Sequence, residues 1–593
     1  MRTKIYIALS MALAVSISSC KKSLDKPLLG SLESPLLETK DGVNGLLIGT
    51  YAALDGMAGD ANGTYAIGGG NPWETSPDNW VLGGVAGGDA NKGSIAGDVS
   101  EIEPIMQFYS DPTNVFYNSK WKADYEGISR ANTVLKVVAK VSAFTDAEKA
   151  NIIGQTRFLR AHYYFDLRKI FKNVPYIDET TTNFNQPNNT DVWSKIEADF
   201  DFAYKNLPST QTSVGMVNKW AAGAYLAKTY LYEQKYPQAK AVFDDVILNG
   251  VTSNGLHYGL NDKFDDNFTP ETENQKEAIF AIQMAANVDP AGPSNANNGD
   301  MLNFPYGTDS PFPCCGFYQP SADLVNHFRT DDKGLPYLDD FNSHAIKNDM
   351  HLASSASFIP DAGNIDPRLD WTAGRRGIPY LDWGIHPGSS WVRDQSYAGP
   401  YSPIKNVYWN ATQSVDGDNH SWAPGSAINY NVIRFADVLL MAAEVEAQLG
   451  NFAQAETYVN TVRNRAANPA GWVHTYKNPA SPTSGFTDVP AANYKVSPYP
   501  AGAFASKDFA LKAIYFERKI ELAMEGHRFF DLVRWGIADT ELNAYFKYQN
   551  TVTTDLRNGK YIKGKDDYYP IPQRQIDLSA SGGSPVLKQN SGY

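Results

Sequence analysis

Eight tryptophans in irregular segments are the residues of this chain best suited to recognise a ligand. A flat indole ring flanked by Asn, Asp or Arg suits the apolar faces and hydroxyl edges of a sugar, and it suits peptides as well. For any single tryptophan, the alternative is that it anchors its own loop to the scaffold. Together they favour a recognition surface. They are Trp73, Trp80, Trp371, Trp383, Trp391, Trp409, Trp422 and Trp472.

Three glutamates spaced four residues apart, Glu517, Glu521 and Glu525, resemble a catalytic acid cluster. Basic residues such as Arg518 and Arg528 stand beside them at helical spacing, so a salt-bridged helix is the preferred interpretation. Carboxylate pairs that cleave glycosidic bonds converge in space and leave no sequence signature. A glycan-degrading enzyme is therefore kept as an alternative.

The common catalytic signatures do not occur in this sequence. HExxH, GxSxG and GxGxxG are absent, and the nine histidines show no ligand-like spacing. The segment 559–565 approaches a phosphate-binding loop, but Asp566 stands where Ser or Thr would bind Mg²⁺. His162 and His527 lie in aromatic, Arg-rich helical segments that favour a structural role. We expect no catalytic residue, no metal and no cofactor.

Helical periodicity predicts the elements that position these residues. Apolar residues recur at helical spacing in several segments, and small alanines allow the helices to approach closely. These hairpins resemble tetratricopeptide units without a regular 34-residue repeat. The predicted helices are 121–140, 147–171, 193–207, 220–233, 236–248, 434–449, 452–466 and a long final helix at 506–535.

Two loop-rich blocks, 55–115 and 286–430, separate the helical groups. They are dense in Gly, Pro, Asn, Asp and aromatic residues, and they are far longer than ordinary connections. Their aromatic content argues against disorder. We therefore expect the helices to form the scaffold and the loops to form the functional face.

Composition excludes several classes of protein. The chain has 593 residues, of which 42% are hydrophobic and 20% charged, so it is neither a disordered polyelectrolyte nor a coiled coil. Its formal net charge is -13, which argues against a general affinity for nucleic acid.

The amino terminus predicts export and lipid anchoring. A basic start, an apolar run of about eleven residues and the sequence ISSC resemble a bacterial lipobox that is cleaved before Cys20. The run is too short to span a bilayer, and acyl chains on Cys20 would hold the protein on a membrane. We expect a signal peptide at 1–19 and a lipidated tether at 20–38; a plain signal peptide is the alternative.

The other two cysteines, Cys314 and Cys315, are adjacent. Export makes a disulfide possible, but neighbouring Cα atoms are closer than an ordinary disulfide needs. Bridged and free forms both remain open.

Four segments together resemble the SusD/RagB family of nutrient-binding lipoproteins of the Bacteroidetes outer membrane. The third of them, FERKIELAMEGHRFFDLVRWG, is the most specific. The segments are 154–179, 431–466, 516–536 and 568–579. The resemblance implies a mainly α fold, with tetratricopeptide-like hairpins and long irregular insertions that form the ligand face.

The resemblance also implies a function. Such a protein captures a nutrient, usually a glycan, and delivers it to a SusC-like TonB-dependent transporter without catalysis. We expect an outer-membrane, lipid-anchored protein exposed at the cell surface. A single domain would cover 39–593, with an N-terminal part at 39–250 and a C-terminal part at 251–593 that includes the insertion 286–430. The alternatives are a homologue that binds peptides or another nutrient and a purely structural tetratricopeptide scaffold.

Site residues follow from the resemblance at two places. Relatives use an aromatic residue in the first loop block, which points to NPWETSPDNW at 71–80. They use a second contributor in the large insertion. The predicted ligand-binding residues are Trp73, Asp78, Asn79 and Trp80 in the first block and Phe317, Tyr318, Trp371, Trp383 and Trp391 in the second.

Overall fold

A computed structural model describes residues 34–58, 65–288 and 295–593. The predicted signal peptide, Cys20 and the tether up to residue 33 lie outside the described residues. Within the described ranges, no helix combines the length and the apolar character that crossing a bilayer requires.

Long helices form the scaffold, and each packs against the next along much of the chain. They are α1 Lys40–Ala52, α2 Val115–Val138, α3 Asp146–Phe171, α4 Trp193–Asn206, α5 Lys219–Tyr232, α6 Tyr236–Asn249, α7 Phe435–Gln448, α8 Phe452–Ala466, α9 Lys507–Glu521, α10 Arg528–Trp535 and α11 Ala538–Gln549. Shorter α-helices are Ser34–Leu37, Ile102–Met106, Ala322–His327, Gln395–Ala398, Gln413–Asp416 and Gln573–Leu578. The predicted mainly α fold is confirmed.

Local capping explains where two of these helices begin. At α3, the Thr145 hydroxyl accepts the Glu148 N–H while the Glu148 carboxylate accepts the Thr145 N–H, which is a complete capping box. At α5, the Asn218 side chain accepts the N–H groups of Trp220 and Ala221 at 3.0 and 2.9 Å. Both signals are readable in the sequence.

Most predicted helices agree with the structure to within one residue at each end, and the helix predicted at 121–140 begins earlier, at Val115. The prediction of one helix at 506–535 is wrong. The helix stops at Glu521, and Met524 and Gly526 adopt positive φ angles before α10 begins. A Cβ atom on Gly526 would lie 1.6 Å from the Asp78 carbonyl oxygen, so only glycine allows this close approach.

The strands are short and pair only in twos within the described residues. The pair Ala278–Ile282 and Tyr430–Arg434 is antiparallel and joins segments far apart in the chain. The other pairs are Met57–Ala58 with Tyr65–Ala66, Ala90–Gly93 with Phe317–Pro320, Ala373–Gly374 with Ser402–Pro403, Gly417–Asp418 with Gly425–Ser426, His474–Tyr476 with Phe486–Pro490, and Ala580–Ser581 with Ser584–Pro585.

The predicted acid cluster lies in a buried ion-pair network. Arg434 is 1% exposed and donates to Glu277, Glu521 and Glu525 at 2.9, 2.6 and 2.9 Å. Arg465 donates to Glu277 at 3.2 Å and also to Glu521. These glutamates are therefore structural, as predicted. Their partners, however, come from other segments and not from the same helix.

A second part of the network surrounds Arg368, which donates to Asp366 and to Glu521 and forms an ion pair with Glu517 at 2.7 Å. Arg463 donates to Glu517 at 2.8 Å. Burial alone would raise the pKa of Glu521, but the guanidinium groups of Arg465, Arg434 and Arg368 outweigh it and hold that pKa well below its usual range.

His162 is a structural histidine, as predicted. Its Nδ1 lies 2.8 Å from the Tyr225 hydroxyl. Burial lowers the pKa of His162 to about 3, so the ring is neutral at physiological pH.

We expect Glu521→Gln to destabilise the protein by about 3–5 kcal/mol at neutral pH, because it leaves buried guanidinium groups without their counter-charge. Lys512→Met is the control, since Lys512 pairs with Asp339 at 2.7 Å on the surface, where an ion pair contributes about 1 kcal/mol or less. Urea denaturation measures both. Equal losses in the two variants would contradict the role given to the network.

The same pKa shift predicts a pH dependence. Because the folded-state pKa of Glu521 is depressed, its stabilisation is fully present above the usual glutamate pKa of about 4.3 and is lost as the pH falls below it. Urea titrations at pH values between about 6 and about 3 should therefore show a steeper loss for the wild type than for Glu521→Gln. Parallel curves would argue against this assignment.

Candidate functional site

Two of the loop tryptophans meet at the protein surface, and we call this the Trp73–Trp422 surface. Trp73 lies in the 3₁₀ turn Pro72–Glu74, and Trp422 follows the strand Gly417–Asp418. Their ring centroids are 6.1 Å apart in an edge-to-face arrangement. Trp422 is 57% exposed, whereas Trp73 is partly buried against the core. An exposed indole braced by a second ring offers a flat apolar face to a ligand.

The turn that carries Trp73 is fixed to helix α2. The buried Glu74 carboxylate accepts from the Asn71 amide at 2.9 Å and from the Ser119 hydroxyl at 2.6 Å. The Thr75 hydroxyl donates to the Gly56 carbonyl at 2.9 Å. The indole N–H of Trp73 finds no acceptor among the described residues. This nitrogen is itself buried, so the indole N–H does not face the surface.

The loop that carries Trp422 is also held by hydrogen bonds. Ser421 donates to Asn298 at 2.7 Å and to Asp418 at 2.5 Å. The Asn287 side chain accepts from the Asn419 N–H at 2.9 Å and donates to the Gly417 carbonyl at 2.8 Å. Hydroxyl and amide groups therefore flank the indole rings.

The segment 295–300 connects the two sides of this surface. The Asn297 N–H donates to the Ser426 carbonyl at 2.7 Å, and the Trp80 indole donates to the Gly299 carbonyl at 3.1 Å. A Cβ atom on Gly299 would lie 2.4 Å from the Ser76 hydroxyl. The close packing of this glycine keeps the two tryptophan loops in a fixed relation.

Three of the four residues predicted in the first loop block are buried in this structure. Trp80 is 0% exposed, and Asp78 and Asn79 are also buried. Asp78 accepts from the Ser76 hydroxyl at 2.6 Å and from the Trp80 N–H at 3.0 Å, and Asn79 donates to Asp166 at 3.1 Å. They support the loop from beneath and present no surface to a ligand. Trp73 is the member of this group that reaches the surface.

Asp78 lies close to Asp300, and both line a small buried cavity of about 50 Å³. Burial, together with the neighbouring Asp78 carboxyl, raises the pKa of Asp300 well above its ordinary value. Burial also raises the pKa of Asp78. A space of this size has room for a few water molecules but not for a sugar ring. Two carboxyl groups that cleave a glycosidic bond must stand on either side of that bond. The cavity beside Asp78 and Asp300 is too small to admit the sugar that carries it.

The residues predicted in the large insertion are held in the fold by ring contacts and hydrogen bonds. Phe317 and Tyr318 are buried, and their rings pack against Trp80 with centroids 6.4 and 5.5 Å away. Each remaining indole donates to a backbone carbonyl, Trp371 to Gly471, Trp383 to Tyr408 and Trp391 to Asp309, at 2.8, 2.8 and 3.0 Å.

These hydrogen bonds anchor the loops that carry the three tryptophans. In the described part of the chain, no ring contact joins any of the five insertion residues to Trp73 or Trp422. The structure also joins Cys314 and Cys315 in a vicinal disulfide.

Trp422 is a candidate site residue that the sequence placed only among the loop tryptophans. A usable signal precedes it, the run DGDNHS, which is rich in short hydrogen-bonding side chains. Such residues form turns that bring a following side chain to the surface.

Comparison with known proteins identifies related chains. The model of a family described as "SusD family" matches residues 276–593. A second, described as "Starch-binding associating with outer membrane", matches residues 72–231. SusD-like protein P25 of Formosa agariphila is 26% identical over 80% of this chain and 79% of its own length. A SusD-like protein of Bacteroides ovatus is 24% identical over 78% and 76%.

Solved structures share the fold. A laminarin-binding SusD-like protein aligns with a TM-score of 0.62 at 22% identity, covering 94% of this chain and 100% of the other. Surface glycan-binding protein A of Bacteroides thetaiotaomicron, in complex with laminarihexaose, aligns with a TM-score of 0.61 at 20% identity, covering 93% and 99%. At these identities the similarity concerns the fold alone.

The different positions of two tryptophans predict different effects of truncation. Trp80→Ala should lower the free energy of unfolding by about 3–5 kcal/mol, because it leaves a large cavity in the core. Trp422→Ala should change it by about 1 kcal/mol or less, because the ring is mostly in solvent. Urea denaturation of both variants gives the comparison. A larger loss for Trp422→Ala would reverse the assignment of the two residues.

Proposed function

The chain belongs to the SusD family, and on that premise we propose that it is a non-catalytic glycan-binding protein associated with the outer membrane. It captures a polysaccharide or oligosaccharide at the Trp73–Trp422 surface and delivers it to a SusC-like TonB-dependent transporter. The observation that carries the proposal is the exposed Trp422 ring packed edge-to-face against the partly buried Trp73.

The chemistry of this surface supports a sugar ligand. The apolar face of a pyranose ring stacks on an indole, and its hydroxyl groups exchange hydrogen bonds with amide and hydroxyl side chains. Trp422 offers the ring, while Asn287 and Ser421 lie beside its loop. Both loops are held by hydrogen bonds before a ligand arrives, so binding orders few groups.

Relatives support the class of ligand. One solved neighbour is described as laminarin-binding, and another was solved with laminarihexaose. The second matching family model is described as starch-binding and associated with the outer membrane. A glycan is therefore favoured over a peptide, and a lipid on Cys20 would provide the attachment to the membrane.

The absence of catalysis is part of the proposal. The glutamates that resembled a catalytic cluster are enclosed by guanidinium groups in the core. The Asp78–Asp300 pair lies beneath the surface in a cavity smaller than a sugar. Release of reducing ends from a bound polysaccharide by the purified protein would overturn this part.

Binding is tested by affinity electrophoresis of the protein without residues 1–20, in gels that contain laminarin, starch, xylan or mannan. We expect one glycan to retard the wild type. Trp73→Ala and Trp422→Ala should each weaken that binding at least about tenfold, because truncating a central aromatic anchor costs about 2 kcal/mol or more.

Tyr109→Ala is the matched control, since Tyr109 is an aromatic residue with 53% exposure at a different place. It should migrate as the wild type does. Retardation that survives both tryptophan substitutions would contradict the site. Failure of every glycan, together with binding of a peptide mixture, would replace the glycan with a peptide ligand.

A further inference from the structure

A second, larger groove runs along helix α2. Its volume is about 780 Å³, which lies within the range of cavities that bind small molecules. One wall is α2 itself, from Trp121 to Lys136. The other is formed by the segment 175–186 and the helix Gln573–Leu578. No residue of the Trp73–Trp422 surface lines this groove.

The charges that line the groove cancel. Lys122 and Lys136 are matched by Glu126 and Asp178. Most of the other polar lining groups are amides and hydroxyls, such as those of Asn132 and Gln186. A neutral, hydroxyl-rich ligand fits this lining, whereas a polyanion would find no net positive charge.

Two exposed apolar side chains stand on one wall of the groove. Phe184 is 65% exposed and Leu578 is 68% exposed. The wall is tied together because the Asn185 amide donates to the Ser579 carbonyl at 3.0 Å. Lys136 Nζ lies 6.0 Å from the Phe184 ring centroid, so the ring faces α2 across the groove. An exposed aromatic ring held in place beside amide groups repeats the chemistry of the Trp73–Trp422 surface.

One end of the groove lies near the turn that carries Trp73, since Lys122 lines the groove and its Nζ would lie 3.4 Å from a Cβ atom on Gly69. Ile67 and Lys122 line its near end, and Trp73 follows Ile67 by six residues, a distance of at most about 22 Å. The intervening Gly69, Gly70 and Asn71 are exposed. Two of these residues have no side chain, so a ligand can pass from one region to the other.

We infer that this groove is a second binding region for the same glycan chain, and that the protein is built to hold a long, neutral polysaccharide across both regions. This inference rests on the proposed function. From Lys122 to Lys136 the groove follows about 21 Å of helix. A polymer bound at Trp422 can extend into this groove, whereas a short oligosaccharide bound at Trp422 does not reach it. Two linked regions bind a polymer more tightly than either region alone.

The test compares polymers with hexasaccharides of the same linkage, namely laminarin with laminarihexaose and starch with maltohexaose, by calorimetry. Ser129→Trp fills the groove from an exposed position of α2. Thr457→Trp, at an exposed position of α8, is the matched control. Phe184→Ala is a second variant that removes the exposed ring without blocking space.

We expect Ser129→Trp to raise the dissociation constant of the bound polymer about tenfold or more and to change that of the hexasaccharide by less than about twofold. Phe184→Ala should act in the same direction, and Thr457→Trp should change neither constant. Unchanged melting temperatures confirm that the variants are folded.

The outcomes separate this inference from the proposed function. If Ser129→Trp binds the polymer as tightly as the wild type does, the groove is not a binding region. In that case, loss of binding in Trp422→Ala would still support the Trp73–Trp422 surface as the binding site. Hexasaccharide binding lost in Ser129→Trp but kept in Trp422→Ala would move the main site to the groove and overturn the proposed surface. If the wild type binds none of these four probes and neither xylan nor mannan, both the surface and the groove are overturned.

Discussion

The buried pairing of arginine and glutamate around Arg434 is the interaction on which the rest of the structure depends. Arg434 ends a strand, Glu277 precedes the partner strand, and Glu521 and Glu525 come from the end of α9 and the turn after it. Charges this deeply buried are tolerated only when each is paired and hydrogen-bonded. The network therefore specifies how these distant segments meet, because any other arrangement leaves a charge unpaired in the core.

The position of the ligand face follows from this network through a short series of contacts. The helix stops after Glu521, and the turn that follows places Gly526 against the Asp78 carbonyl. The loop that contains Asp78 also contains the buried Trp80, whose indole N–H donates to the Gly299 carbonyl oxygen. From there the segment 295–300 reaches the strand that follows Trp422. A loop face built on such contacts is pre-organised, which suits a protein that must bind a ligand without a large ordering cost.

The sequence predicted the scaffold better than it predicted the exposure of individual side chains, for a physical reason. Helix burial repeats every 3.6 residues, so the apolar stripes of α3 to α8 are visible in the sequence. The spacing of Glu517 and Glu521 correctly indicated a helix and a structural role, but ion pairs form across segments and their partners have no sequence signature. Exposure of a loop tryptophan likewise depends on distant packing. Trp73 and Trp80 are seven residues apart, yet one is at the surface and the other in the core.

The electrostatics of the ligand face favour a neutral ligand over an anionic one. The chain carries a net charge of -13, so an anionic polymer is repelled at long range. Beneath the Trp73–Trp422 surface, burial and mutual proximity raise the pKa values of Asp78 and Asp300, which reduces the negative charge of that pair. Along α2 the lining charges cancel. The groove along α2 therefore presents a ring, amides and hydroxyls with no net charge, which suits the neutral glycan that we propose as its ligand.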